Sequence, residues 1–355
     1  DRVHRPALAA ALTGAAAAPV TEGLIGRWSG EDTDLSEVIR GLDRLRQEAG
    51  RTASRAAVVN LGVVAAVDAA AERVVASVAG LGAHHPGRIV VLVPCTTPDG
   101  AGAEPELDGR VELRESDATG RHLWWEVVVL RAWGPVCGHL ESLMQPLLLH
   151  DLPVALWLAG GTSGVSPAVV GTAGYVIVSG ERAAATGRAD VAADLARLSA
   201  RRPVVDLAWL AIEPARRALA RLFDPPERRA GLAGAEVAVT GPAWSSRLLA
   251  GWLVERAGID PGRVRLEPDP DGGGRLHAEI DLGAESAVLE AGSVWPAGAS
   301  AAASGPGAAR ARLGPATVVE THGGSDTPHL LAAALTRPGR DPRYEAALAV
   351  AGEMF

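Results

Sequence analysis

The segment Thr240-Gly241-Pro242-Ala243-Trp244-Ser245-Ser246-Arg247 concentrates groups able to hold an anion. An apolar strand pattern precedes it and a leucine-rich helical pattern follows, so the turn exposes the first N–H groups of a helix. The hydroxyls of Thr240, Ser245 and Ser246 and the guanidinium of Arg247 add donors suited to phosphate. Plain helix capping accounts for the same residues, and both readings stand at this point. Cys95 and Cys137 are the only cysteines. Neither lies in a Cys-x-x-Cys or Cys/His ligand pattern, which excludes a disulfide scaffold and a structural zinc site but leaves a candidate redox pair. Trp124, Trp125, Arg131 and Trp133 bracket one apolar run and are candidate partner contacts, because Trp and Arg dominate interface energetics.

The remaining catalytic inventory is thin. All 34 basic residues are arginine, which excludes a phosphate-loop lysine, a Schiff-base lysine and a lysine general base. Neither Gly-x-Gly-x-x-Gly nor Gly-x-x-x-x-Gly-Lys occurs, and Gly160-Gly161-Thr162-Ser163-Gly164 has the wrong spacing for a nucleophile elbow. His139 and His150 lack a carboxylate at metalloprotease spacing, and no carboxylate pair suggests a division between acid and base. The expectation is a protein without catalytic residues, cofactor or metal.

Composition bounds the partners. At 355 residues the chain is long enough for two domains, and 48% hydrophobic residues supply ample core. A net charge of −8 gives no general attraction to nucleic acid or anionic lipid. No apolar run reaches the ~18 residues of a membrane span. Few cysteines suit a reducing compartment, so a cytoplasmic location is expected. Arg2 to Pro19 is too alanine-rich and too interrupted for a secretory signal and reads as a mobile leader.

The elements that must position these residues are legible in part. Leu35, Val38, Ile39, Leu42 and Leu45 recur at helical spacing behind Asp34 and Glu37, a capping pattern. Ala56 to Ala66 and Ile89 to Val93 are bounded valine-rich runs joined by a helix from Asp68, which predicts parallel strands. Arg110 to Glu115 and Leu123 to Ala132 read as a hairpin, and Val154 to Ala159 and Tyr175 to Ser179 as later strands. Pro146 must kink or end the helix begun by Leu140. Further on, Glu236 to Thr240 opens a second sheet, in which Arg275 to Leu282 alternates cleanly and Ser286 to Leu289 and Thr317 to Glu320 supply partners. The expected fold is α/β with two α/β domains: the first has a largely parallel Rossmann-like sheet flanked by helices, the second a mixed or antiparallel sheet packed by helices. The expected division is a leader and amphipathic helix over 1–50, an N-terminal domain over 51–185 and a C-terminal domain over 186–355. An Ala/Ser/Gly tract at 297–309 reads as a mobile loop.

In order along the chain, Gly26-Arg27-Trp28, the strand at Val58 to Val64, His85-Pro86-Gly87-Arg88-Ile89, Glu126 to Arg131 and LMQPLLLHDLPVALWLAG from Leu143 to Gly160 resemble the glucose-6-phosphate dehydrogenase assembly protein family (OpcA). Asp206-Leu207-Ala208-Trp209, the helix ending in Phe223-Asp224-Pro225, and Leu249-Ala250-Gly251-Trp252-Leu253 are similar to its C-terminal domain. The resemblance implies a non-catalytic cytosolic partner of glucose-6-phosphate dehydrogenase. Such a partner promotes the dehydrogenase's assembly or activates it allosterically, supporting NADPH production in the oxidative pentose phosphate pathway. It implies no cofactor. The alternative is a sugar-phosphate-binding protein or lactone hydrolase-like enzyme that uses the turn at 240–247.

Overall fold

The computed structural model describes residues 22–50, 57–65, 68–79, 81, 85, 87–95, 106–116, 123–162, 165–187, 190–269, 272–294, 307–322, 324 and 326–354. The expected leader before residue 22 and residues 297–306 of the Ala/Ser/Gly tract lie outside them.

The first unit runs β1 (Glu22–Gly30), α1 (Leu35–Glu48), β2 (Val59–Val64), α2 (Asp68–Ala79), β3 (Gly87–Pro94), β4 (Glu106–Ser116) and β5 (Leu123–Trp133). It continues through α3 (Leu140–Met144), β6 (Val154–Leu158), α4 (Pro167–Gly171), β7 (Tyr175–Val178), α5 (Gly180–Ala185), α6 (Val191–Arg201) and β8 (Val204–Asp206). The sheet order is β1-β4-β5-β3-β2-β6-β7-β8. From β5 to β8 every neighbouring pair is parallel. β4 runs antiparallel to both β5 and β1, so the predicted hairpin is the β4–β5 pair. The chain builds outward from β2 through β3 to β5 and then restarts at β6 on the other side. That reversal is the doubly wound arrangement, with its switch point between β2 and β6. Every residue of β2 and all but the last of β3 are buried. Their continuous valine-rich runs therefore reflect helices or loops covering both faces.

Asp34 caps α1 as the sequence predicts, its Oδ1 accepting the Glu37 N–H at 2.8 Å, while the Glu37 carboxylate accepts the Thr33 hydroxyl at 2.7 Å. Pro146 ends regular α-helix after Met144, and the chain continues as a 3-10 turn over Gln145–Leu147.

The second unit runs α7 (Leu207–Ala211), α8 (Glu213–Leu222), α9 (Pro226–Arg229), β9 (Glu236–Gly241), α10 (Ala243–Ala257), β10 (Val264–Pro268) and β11 (Arg275–Asp281). It closes with β12 (Ser286–Ser293), β13 (Gly307–Leu313), β14 (Ala316–His322), α11 (Thr327–Leu335) and α12 (Pro342–Met354). Its sheet, ordered β10-β9-β11-β12-β13-β14, is mixed: β9 and β10 are parallel and every other pair is antiparallel. Leu276, Ala278 and Ile280 of β11 face the core while Arg275, Glu279 and Asp281 are exposed.

Four strands escape the sequence reading: β1, β8, β10 and β13. β1 and β8 lie outside the segment 51–185, yet both belong to the first sheet. The tract read as a loop up to residue 309 already enters β13 at Gly307, with Ala309 and Ala311 buried.

Candidate functional site

The turn at 240–247 forms as expected, with Gly241 ending β9 and α10 beginning at Ala243. The anion at this helix N-terminus is the protein's own. Glu181, from α5, accepts the backbone N–H of Trp244 at 3.3 Å on one oxygen. Its other oxygen accepts the backbone N–H of Ser245 at 2.8 Å and the Ser245 hydroxyl at 2.9 Å. A carboxylate is well placed there, since free N–H groups and the helix dipole both favour negative charge. Ser245 is thereby turned into the interior and away from any external ligand, which corrects its expected place among the anion-binding residues.

A second buried carboxylate completes this junction. Asp206, the last residue of β8, accepts the N–H of Gly180 and of Ala208, each at 3.0 Å, and the Trp244 indole N–H at 2.8 Å. The Tyr344 hydroxyl approaches it at 3.4 Å. Burial pushes the Asp206 carboxyl up to about 6, against the pull of the Gly180, Trp244 and Ala208 donors and with a further push from Glu181. Gly180 admits no side chain, because a Cβ there would lie 2.1 Å from Trp244 Nε1. Doubly wound sheets bind ligands at the carboxyl ends of their strands. At the carboxyl ends of β7 and β8 that space is taken by Trp244 of α10 and Tyr344 of α12.

Beside the same turn, a cleft of about 390 Å³ opens at the carboxyl ends of the parallel pair β9 and β10. Ser246 and Arg247 line it, opposite Glu267 and Asp269. Thr240 donates its hydroxyl to Glu267 Oε2 at 3.2 Å. The Ser246 hydroxyl is buried without a partner.

A second cleft, of about 310 Å³, lies at the opposite end of the first sheet, at the amino ends of β2, β3 and β5. Sequence reasoning missed it. Arg88 and Glu126 stand opposite one another in register on β3 and β5. Glu126 accepts Arg88 Nε at 2.7 Å on one oxygen and Arg46 Nε, from α1, at 2.6 Å on the other. Although burial resists its charge, the two guanidiniums hold the Glu126 carboxyl below the usual range. Arg88 also donates to the Leu147 carbonyl. Asn60 donates to the Leu149 carbonyl and accepts the Leu149 N–H, both at 2.8 Å. These side chains fasten the 147–152 loop to the sheet and explain how Asp151 is held at φ 65, where a non-glycine residue is uncommon. The sequence signal was a single polar residue set in or at the head of each valine-rich run: Asn60, Arg88 and Glu126.

The other predicted residues separate. Trp125 is 1% exposed and belongs to the core, which corrects its place among candidate contacts: an indole sealed in the sheet offers no surface. Trp124 and Trp133 are half-buried, and Arg131 pairs with Glu72 at 2.8 Å. Cys137 Sγ lies 3.8 Å from the Cys95 carbonyl oxygen and 2.9 Å from the Ala132 carbonyl oxygen, and neither cysteine is in a disulfide. Burial pushes the Cys137 thiol up.

Among the described residues no group of three or more His, Cys, Asp and Glu side chains could hold a metal ion, and no helix is long and apolar enough to cross a membrane. No curated protein and no solved structure matches the chain. Two family models do, both describing a glucose-6-phosphate dehydrogenase subunit: residues 78–171 match its N-terminal domain and residues 202–348 match its C-terminal domain. The second match begins before β8, so it takes in the edge strand and Asp206 through which the two units meet. Together the matches take in β3 to β6 of the first sheet and β8 to β14, and the chain belongs to the glucose-6-phosphate dehydrogenase assembly protein family, OpcA.

Proposed function

We propose that this protein is a non-catalytic assembly factor or allosteric activator of glucose-6-phosphate dehydrogenase, acting in the cytoplasm to sustain NADPH production by the oxidative pentose phosphate pathway. The observation that carries this reading is the pair of family matches over 78–171 and 202–348. The test is to titrate the cognate dehydrogenase with the purified protein and follow sedimentation and specific activity together. A heavier dehydrogenase species with raised specific activity is expected. Unchanged sedimentation and activity across the series would discard the reading.

A second reading, sugar-phosphate binding at the 240–247 turn, draws on one observation: the unpartnered Ser246 hydroxyl beside Arg247 in the β9–β10 cleft. Calorimetry with glucose 6-phosphate tests it. Binding that Arg247→Ala removes would support this reading, turnover of a phosphosugar or its lactone would favour the enzyme version, and no heat of binding would end both.

A further inference from the structure

Arg216, on α8, is a half-buried guanidinium held in place without an anion. Its Cζ lies 3.3 Å from the centre of the Trp209 ring, and its Nη2 donates to the Trp209 carbonyl at 3.0 Å. Stacking on an indole face together with a carbonyl bond fixes its orientation. Burial pushes the guanidinium down to about 9, against the pull of Glu213 and Asp341 and with a further push from Arg337 and Arg343, so it stays charged at neutral pH. Both of those carboxylates are engaged elsewhere. Glu213 takes Arg217 on Oε1 and Arg337 on Oε2, the latter at 2.7 Å. Asp341 accepts the Trp209 indole N–H on Oδ2 at 2.8 Å, and on Oδ1 the backbone N–H groups of Arg343 and Tyr344 at 2.9 and 3.3 Å. Among the described residues Arg216 forms no ion pair with either. Its Nε is sealed from solvent without a partner, whereas Nη1, which also makes no hydrogen bond, is not sealed.

The charge around Nη1 selects the kind of anion. Arg337 and Arg343 are exposed and close enough to act on Arg216. Glu213 supplies one negative charge to two guanidiniums, Arg217 and Arg337. The Arg343 side chain has no partner among the described residues, and it stands in the first turn of α12, where the helix dipole disfavours a cation and favours an anion. A single carboxylate would leave this corner positive. A phosphate monoester brings close to two negative charges and three acceptor oxygens, and the guanidinium fork is the side-chain donor that matches them. We propose that the corner between α8 and the start of α12 binds the phosphoryl group of a small phosphate monoester through Arg216 Nη1 and Arg343, with Arg337 beside them. None of these residues lines the cleft at the 240–247 turn, so this is a different site. It requires neither the dehydrogenase nor any catalysis.

The test is calorimetric titration of the full chain, at matched ionic strength, with glucose 6-phosphate, inorganic phosphate and acetate in separate runs. Both phosphates are expected to bind, with acetate at least tenfold weaker. Arg343→Ala removes an exposed side chain without a partner, so it should leave the melting temperature unchanged while weakening both phosphates at least fivefold. Arg216→Lys, which keeps the positive charge but has no Nη1, is expected to weaken them similarly. Its melting temperature is recorded because it gives up the Trp209 contact, and if it does not fold Arg343→Ala decides alone. Arg247→Ala, in the other cleft, should stay within twofold of wild type. No binding of either phosphate would overturn the proposal, and so would binding that Arg343→Ala leaves unchanged. Acetate binding as tightly as phosphate would reduce the corner to a general anion patch, and the proposal fails. Binding lost in Arg247→Ala and kept in Arg343→Ala would place the ligand at the 240–247 turn and likewise overturn it.

Discussion

Trp244 donates its indole N–H to Asp206 at 2.8 Å, joining the first turn of α10 to the last residue of β8. The two sheets are thus held together by a buried carboxylate and an aromatic donor 38 residues apart in the chain. The neighbouring Glu181 makes a second tie to the same helix turn.

The Asp206 carboxyl titrates at about 6 in the folded protein against an ordinary 3.8, so the folded state binds its proton more tightly than the unfolded state. The stability this contributes is full below about pH 4 and is lost as pH rises through about 6, an effect on the order of 3 kcal/mol. Asp206→Asn removes the titration. Urea unfolding at pH 4, 5, 6 and 7 is expected to show the wild type losing stability relative to the variant across this range; parallel curves would contradict the assignment.

Glu181→Ala leaves three buried donors, the Trp244 and Ser245 N–H groups and the Ser245 hydroxyl, without their acceptor. A loss of roughly 3 kcal/mol is expected. In a double-mutant cycle the further change Ser245→Ala should cost less in the Glu181→Ala background than in the wild type. Additive losses would show that the hydroxyl and the carboxylate act independently.

Gly87 begins β3 where β2 passes closest: a Cβ would lie 1.9 Å from the Val59 carbonyl oxygen. Because the obstacle is backbone, relief requires separating two central strands. Gly87→Ala is expected to cost several kcal/mol or to abolish soluble expression. Gly171, at the end of α4, has open space at its Cβ position, and Gly171→Ala should be neutral or slightly stabilising in the same denaturation assay.

With its thiol pushed up by burial, Cys137 holds little thiolate at neutral pH, and Cys95 is sealed in the core. A thiol-reagent time course is expected to show Cys137 reacting at least tenfold more slowly than an exposed cysteine. Cys95 should react only after unfolding. Rapid modification of both in the native protein would mean that the β3 and β5 ends open readily.

Legibility followed local contrast. β2, β3, β6 and β7 could be read because strands buried on both faces are bounded apolar runs, and β11 because one face sees solvent. β13 was missed because two of the three side chains it buries, Ala309 and Ala311, are too small to stand out from an alanine-rich tract, which leaves Leu313 alone at its end. β8 is three residues long, shorter than any periodicity can register. β1, at the sheet edge, buries little and leaves Leu24 49% exposed, so its pattern carries no inside and outside.

The sequence by itself determined the order of most elements, the α/β class of both units and the family, since propensity, capping and alternation act over a few residues. Only the tertiary structure decided which charges meet. Arg46, Arg88 and Glu126, or Glu181, Asp206 and Trp244, are brought together by sheet register and helix packing, and each such position sums displacements over the whole intervening chain. Periodicity in a short window carries no record of that sum. The anion-ready turn at 240–247 could therefore be foreseen, whereas Glu181 as its internal occupant could not.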